Sequence, residues 1–249
     1  MRIAVLADIH GNSWALSAVL EHASRQGVDS TVNLGDIFYG PLDPAGTARL
    51  LAAHEMPTVV GNQDRMLLEA LANTALAPNP TLDATLAALP PAQQDWLAGL
   101  PWVLALSGEV LLCHGTPTSD DTYLLEDVVT GRPQPRSAAY VEAELAGWDY
   151  PLVLCGHSHY PRALDTGRRI VVNPGSVGLP AYADDVPPHA VCCGSPHARY
   201  AVVDDASGGW RVEFFQVEYD WDAAAACASA LGRKDWAICL ATGLVGPGL

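Results

Sequence analysis

Five short motifs carry side chains that could hold metal ions: Asp8-Ile9-His10, Gly35-Asp36, Gly61-Asn62-Gln63-Asp64, His114-Gly115 and Gly156-His157-Ser158-His159. Together Asp8, His10, Asp36, Asn62, His114, His157 and His159 offer two carboxylates, four imidazoles and one amide. That mixture of oxygen and nitrogen suits manganese, iron, zinc or nickel better than magnesium or calcium, which prefer all-oxygen shells. One ion needs fewer ligands than this. Two ions sharing one aspartate would use them all and leave room for water. Taken singly, each motif is an ordinary turn. Taken together, a turn explanation gives no reason for metal-binding residues after five separate apolar runs.

The elements that must position these residues are legible in the hydrophobic pattern. Arg2 to Ala7, Thr31 to Leu34, Pro57 to Val60, Val110 to Cys113 and Leu152 to Cys155 read as short buried strands, each ending at a motif. Leu16, Val19, Leu20 and Ala23 fall on one helical face after Asn12 or Ser13, either of which can cap it, with Gly27 as a stop. Asp43-Pro44 supplies the cap and first-turn proline of a second helix, running to about His54. Strand–helix alternation implies a largely parallel sheet, whose carboxyl ends gather at one edge where ligands bind. From about Arg65 to Gly99 the chain is Ala- and Leu-rich with no strand pattern, and reads as two or three short helices inserted beside the sheet.

Further strands are expected at Trp102 to Leu106, Arg169 to Val172, Tyr200 to Val203 and Arg211 to Val217. Helices are expected at Ser137 to Ala146 and Asp220 to Leu231, and Ala181 to Pro196 reads as a loop. The expected fold class is α/β, a two-sheet β-sandwich flanked by helices. It is read as one domain over residues 1–249 with a helical insertion at about 65–100.

The ordered motifs resemble the metallophosphoesterase superfamily, also called calcineurin-like, whose pattern is D-x-H, G-D, G-N-x-D/E, H-G and G-H-x-H. The resemblance runs from Asp8 to His159 and continues into Asn173-Pro174-Gly175-Ser176-Val177-Gly178, a segment similar to one in small bacterial and archaeal phosphodiesterase-like members. It implies a four-layer fold and two divalent transition-metal ions, manganese first, with iron, zinc or nickel as alternatives. By resemblance, Asp8, His10 and His159 hold one ion, Asn62, His114 and His157 the other, and Asp36 bridges them. Asp36, Asn62 and His114 are accordingly the catalytic candidates. The implied reaction is hydrolysis of a small phosphate ester by water activated between ions about 3.5–4 Å apart.

One position departs from the pattern. Many members carry histidine after the asparagine, where it is thought to protonate the leaving group or orient phosphate; here Gln63 stands there. An amide can donate a hydrogen bond but cannot deliver a proton. Leaving groups that need little protonation, such as aryl esters or phosphoanhydrides, are therefore expected to be preferred. Gln63, Arg65, His197 and Arg199 are the candidate substrate contacts. His189, with His197 and Arg199, could reach the site if the 181–196 segment folds over it; a plain surface loop is the alternative. Arg65 is equally open to a surface ion pair. Tyr39 and Tyr160 adjoin motifs and either line the opening or pack. His22 and His54 receive no role.

Composition narrows the partners. Lys plus Arg is 13 against 28 Asp plus Glu, a formal charge of −15. Such a surface repels long nucleic acid but admits a small phosphorylated substrate, because bound metals invert the charge locally. Six cysteines occur without CxxC spacing, and Cys192 and Cys193 read as loop thiols. The apolar run before Asp8 is too short for a signal core or membrane span, so no membrane partner and a cytoplasmic location are expected. Rival readings are a dinucleoside polyphosphate hydrolase, a phosphoprotein phosphatase and a metal-binding module without catalysis. No HExxH motif or zinc-type cysteine pair supports a peptidase or deaminase.

Overall fold

The strands that end at the motifs lie in two sheets packed face to face, in a computed structural model that describes residues 1–72, 78–205 and 208–247. The chain opens with β1 (Arg2–Leu6), α1 (Ser13–Ser24) and β2 (Ser30–Asn33), a right-sized unit for pairing β1 and β2 in parallel. Asn12 caps α1 by accepting from the Ala15 N–H at 3.1 Å. Asp43 caps α2 (Pro44–Ala52) through the Gly46 N–H at 2.8 Å, with Pro44 in the first turn. Three helices follow: α3 (Asn62–Ala72), α4 (Pro80–Ala88) and α5 (Pro91–Ala98). They fill the Ala- and Leu-rich stretch, of which residues 73–77 lie outside the described chain. The first of them begins on the Asn62 motif itself.

The antiparallel pair β3 (Val103–Leu106) and β4 (Val110–Cys113) starts the second sheet. A small hairpin, β5 (Glu126–Val129) and β6 (Arg132–Pro135), and the helix α6 (Ala138–Glu144) precede β7 (Leu152–Leu154), β8 (Arg162–Asp165) and β9 (Ile170–Asn173). After them come a second hairpin, β10 (Ala181–Asp185) and β11 (Pro188–Cys192), the long pair β12 (Ala198–Asp204) and β13 (Arg211–Val217), and two helices, α7 (Trp221–Ala230) and α8 (Lys234–Thr242). The sheet orders are β13-β12-β1-β2 and β3-β4-β7-β9-β8.

Strand alternation explains the layering, because successive side chains point to opposite faces. Ile3 and Val5 of β1 meet Leu112, Leu152 and Val172 of the other sheet in a fully buried inter-sheet core. Ala4 and Leu6 face the opposite way, onto Leu16 and Val19 of α1 and the C-terminal helices. Leu111, Val153 and Val171 bury their own outer face under Val141 and Leu145 of α6. Helices, sheet, sheet and helix thus form four layers, the expected α/β sandwich.

The structure corrects several local expectations. Pro57 to Val60 makes only a single parallel bridge, between Asn33 and Thr58. Pro57 has no N–H to donate, and Val60 turns its own to the Pro101 carbonyl instead. The Ala181 to Pro196 segment is mainly the β10–β11 hairpin, not a loop. Its prolines and aspartates, which suggested a loop, cluster at the tip around Val186 and Pro187. The hairpin β5–β6, strand β8 and helix α8 had no clear sequence signal. No helix among the described residues is long and apolar enough to cross a membrane, and all six cysteines are free.

Candidate metal centre

The motifs converge because their strands run in the same direction. Asp8 and His10 follow β1, Asp36 follows its parallel neighbour β2, His114 follows β4, and His157 and His159 follow the parallel β7. Leaving a strand abruptly requires unusual backbone. Asp8, His10, Asp36, His157 and His159 all have positive φ, between 52° and 69°. Only two other non-glycine residues described do so, Ser107 and Thr130, both in hairpin turns. Left-handed backbone at such residues costs on the order of 1–3 kcal/mol each, and persists where surrounding structure imposes it. Its concentration on the motifs marks them as a site.

Two groups of donors result: Asp8, His10 and His159, and Asp36, His114 and His157, with ligand atoms within 4.8 Å of one another in each. His10 Nε2 lies 3.1 Å from His159 Nε2, which is 3.3 Å from Asp8 Oδ1. His114 Nε2 lies 3.1 Å from Asn62 Oδ1, 3.6 Å from Asp36 Oδ2 and 4.0 Å from Asp8 Oδ1. All seven sequence candidates are therefore brought together.

The imidazole tautomers test whether metal fits. Nδ1 of His10, His159 and His114 faces the carbonyls of Tyr39, Leu179 and Leu34 at 3.1, 2.7 and 2.7 Å. A carbonyl only accepts, so each Nδ1 carries a proton. Burial, reinforced by His159, pushes His10 down to about 3, so at neutral pH it is uncharged and its Nε2 presents a lone pair. That nitrogen faces His159 Nε2 across 3.1 Å, beside the fully buried Asp8 Oδ1, which lies 3.3 Å from the same His159 nitrogen. A cation between these atoms would be coordinated by all three, in the metal–imidazole–carbonyl arrangement typical of such sites.

The centre's electrostatics couple protons to metal. Burial favours neutral Asp8, but His159, His114 and His10 hold it down to about 2. Burial, with Asp64 and Asp8 nearby, pushes Asp36 up to about 7 against the pull of His114. His114 is raised, since Asp36 and Asp8 outweigh its burial. Metal must displace the protons that Asp36 and His114 retain, so binding releases protons. Below about pH 7 affinity should fall by about tenfold per pH unit for each proton displaced. Manganese titrations by calorimetry at pH 6 and pH 8 check this; equal affinities at both would refute it.

Residues beyond the donors hold them. The Asp64 carboxylate accepts the N–H groups of Asp36, Ile37 and Gly61 at 2.8, 2.9 and 3.0 Å, joining two motif loops. The Gln63 N–H donates to Asp36 Oδ1 at 2.9 Å. A Cβ on Gly61 would stand 2.3 Å from that same oxygen, so the position tolerates nothing larger than glycine. Glu126, 1 % exposed, accepts from Ser158 Oγ at 2.6 Å and Arg162 Nε at 2.7 Å, fixing the loop between His157 and His159. The Asn173–Gly178 segment is a second brace. Asn173 Nδ2 donates to the Gly156 carbonyl, and Ser176 Oγ and the Gly178 N–H donate to the Asp8 carbonyl.

The proposed substrate contacts fare unequally. Gln63 lines a cavity of about 270 Å³ together with Asp36, Asn62, His157, His159 and Tyr39. Arg65 does not line it; its guanidinium pairs with Asp120, Asp121 and Glu69. Nor do His197, which packs on Trp221, and Arg199, whose buried guanidinium is taken up by the carbonyls of Cys193, Ser195 and His197 and the Ser195 hydroxyl. The guanidinium serves the fold of that turn; Arg65, His197 and Arg199 all lie outside the lining of this cavity. His189 is closer to the chemistry: it hydrogen-bonds Tyr123 at 2.8 Å, and Tyr123 meets Tyr182, whose hydroxyl donates to the His157 carbonyl at 3.3 Å. Tyr160 packs beside Arg162. Tyr182, Asp184, Arg233 and Trp236 complete the cavity wall without any sequence motif to announce them. A larger cavity of about 600 Å³, between Phe38, Leu51, Met56 and Trp96, contains none of the donors.

A sandwich with clustered imidazoles and carboxylates at one sheet edge defines a metal-dependent hydrolase class, and comparison places it. Residues 1–195 match the calcineurin-like phosphoesterase superfamily domain, and the chain belongs to that superfamily, whose members use divalent metal ions. It is 27% identical over 240 residues to the uncharacterized protein MJ0912 of Methanocaldococcus jannaschii, covering 88% of each. The crystal structure of a metallophosphoesterase from Sphaerobacter thermophilus is similar at TM-score 0.76 and 26% identity, over 98% of this chain and 99% of that one. The hypothetical protein PH1004 of Pyrococcus horikoshii shares the fold at TM-score 0.75 and 24% identity, with the same coverage.

Proposed function

We propose that this protein is a phosphodiesterase that hydrolyses a small phosphate ester, using two divalent ions of which manganese is the first candidate. Asp8, His10 and His159 would hold one ion, Asn62, His114 and His157 the other, with Asp36 shared. The observation that carries this reading is the gathering of imidazole nitrogens and carboxylate oxygens from separate strand ends into two groups, each with its ligand atoms within 4.8 Å of one another. Two such ions would lower the pKa of bound water and offset charge gathering on phosphoryl oxygens. The chain's own residues orient these groups: carbonyls fix the histidine tautomers, and Asp64 and Gln63 fix Asp36. A cavity of about 270 Å³ suits a small substrate better than a protein or a nucleic-acid strand, and the net charge of −15 points the same way. Six free cysteines are in keeping with a reducing, cytoplasmic location.

The test is to strip the protein with chelator, restore manganese, nickel, zinc or magnesium, and assay aryl phosphomonoester, aryl phosphodiester, alkyl phosphodiester and dinucleoside polyphosphate. Metal-restored hydrolysis of a diester is expected. Metal binding without hydrolysis of any of these compounds would favour a non-catalytic binding module. Gln63 lines the cavity with its side-chain oxygen buried and unpartnered, so aryl esters should be cleaved at least about tenfold faster than alkyl esters. Gln63→His should narrow that gap by accelerating the alkyl ester; similar aryl and alkyl rates in the native protein would remove the argument.

A further inference from the structure

Only one lysine or arginine among the described residues lines the cavity at the metal centre: Arg233. It stands at the start of α8, brought to the site by the C-terminal helical pair. The Trp236 ring ties it to the centre, lying edge-on to His10 at 5.7 Å and beside the Arg233 guanidinium at 5.5 Å. Thr81 at the start of α4 accepts from Arg233 Nη1 at 2.9 Å. Asp235 accepts from Nε at 2.9 Å and from Nη2 at 2.6 Å, an ion pair that leaves the side chain about one-third exposed. Tyr39, on the same cavity wall, is a further partner; a guanidinium has five N–H donors, so Asp235 and Thr81 do not exhaust it. Arg233 and Trp236 also line an adjoining cavity of about 350 Å³, which offers room beyond the metal-binding groups.

We propose that Arg233 binds a second phosphoryl group of the substrate, so that the preferred substrates carry a phosphoanhydride next to the phosphorus attacked. This rests on the metal-dependent hydrolytic reading above, and takes a phosphoanhydride in place of a diester as the preferred bond. In such a reaction the water oxygen forms a new bond to phosphorus and the bridging P–O bond breaks. The electron pair stays on the departing phosphate oxygen, and the water's proton passes to solvent. Gln63 has no proton to give, and a departing phosphate needs none. Arg233, permanently charged, instead offsets the negative charge that develops on it, by fork-shaped hydrogen bonding suited to phosphate. Asp235 holds the guanidinium until the phosphate competes for it.

The experiment is calorimetric titration of the manganese-loaded protein, with metal in excess, by phenyl phosphate and by phenyl diphosphate. The native protein should bind the diphosphate at least about tenfold more tightly, the margin expected of a charge-assisted bidentate contact. Arg233→Met should erase that margin while leaving phenyl phosphate affinity within about twofold. Asp235→Asn, which frees the guanidinium, should tighten phenyl diphosphate binding by a larger factor than phenyl phosphate binding and so widen the margin; equal tightening of both would show only the loss of a nearby negative charge. A native protein without the margin, a margin that survives Arg233→Met, or equal weakening of both ligands overturns the proposal. If Arg233→Met does not fold, the Asp235→Asn result decides. Released orthophosphate, followed separately, tests hydrolysis itself: a margin without turnover sinks the hydrolase reading but keeps Arg233, and turnover without a margin does the reverse.

Discussion

Asp36→Asn is expected to abolish metal-restored hydrolysis without damaging the metal-free fold. The carboxylate lies 3.6 Å from His114 Nε2 and accepts the Gln63 N–H, and in the proposed centre it is the ligand that both ions share. An amide keeps the shape but loses the charge and one anionic ligand oxygen, so it cannot be shared between two cations. The drop in kcat/KM should exceed the about 10–100-fold that loss of a supporting outer partner costs. Stability should move the other way. Burial raises Asp36 from its ordinary 3.8 to about 7. Its ionisation therefore costs the metal-free fold nothing below about 3.8, progressively more up to about 7, and the full amount above. Asparagine removes that cost, so at pH 8 the metal-free variant should melt no lower than the native protein, while the rise in Tm on adding manganese disappears. Retained hydrolysis, or a clear fall in the metal-free Tm, would contradict this account.

Asp64→Asn should do the opposite, weakening the fold before any metal is added. Asp64 Oδ2 accepts from Asp36 and Gly61 and Oδ1 from Ile37, all three within 3.0 Å, and the residue has no exposure. An asparagine oxygen can serve only one side of that cradle. Its NH₂ then confronts a backbone N–H that has nowhere else to turn. Leaving a buried backbone N–H without its acceptor costs about 1–3 kcal/mol, offset in part because burial raises the Asp64 carboxyl to about 6 and the amide removes the cost of ionising it. At about 2–4 °C per kcal/mol for a chain of this size, the Tm should fall by roughly 5 °C. Manganese affinity should fall as well, because the Asp36 and Gly61 loops lose their common anchor. Thermal melts of the chelated proteins at pH 8 compare the two variants directly. A metal-free Tm within about 2 °C of native would show that Asp64 is dispensable.

Much of the site was legible in the sequence because its chemistry depends on residue type and on short-range pattern. A strand of alternating or continuous apolar residues announces itself locally, and the polar residues that end it must turn the chain. Asp8, His10, Asp36, Asn62, His114, His157 and His159 were therefore recognisable as one set, and parallel strands had to deliver them to one edge. The partners of Arg65 and Arg199 were not legible for the complementary reason. A cation near a motif looks free in one dimension, whereas Asp120 and Asp121 reach Arg65, and carbonyls reach Arg199, only after folding.

By itself, then, the sequence determined which residues are candidate donors, the sandwich class and the amide that stands at Gln63. Tertiary structure alone decided which imidazoles oppose each other, that Asp64 and Glu126 brace the motif loops, and that Arg233 and Trp236 wall the cavity. Those relations join residues far apart along the chain, as with His10 and Trp236. Their energies come from burial and from hydrogen bonds across sheets and helices, which no local periodicity encodes.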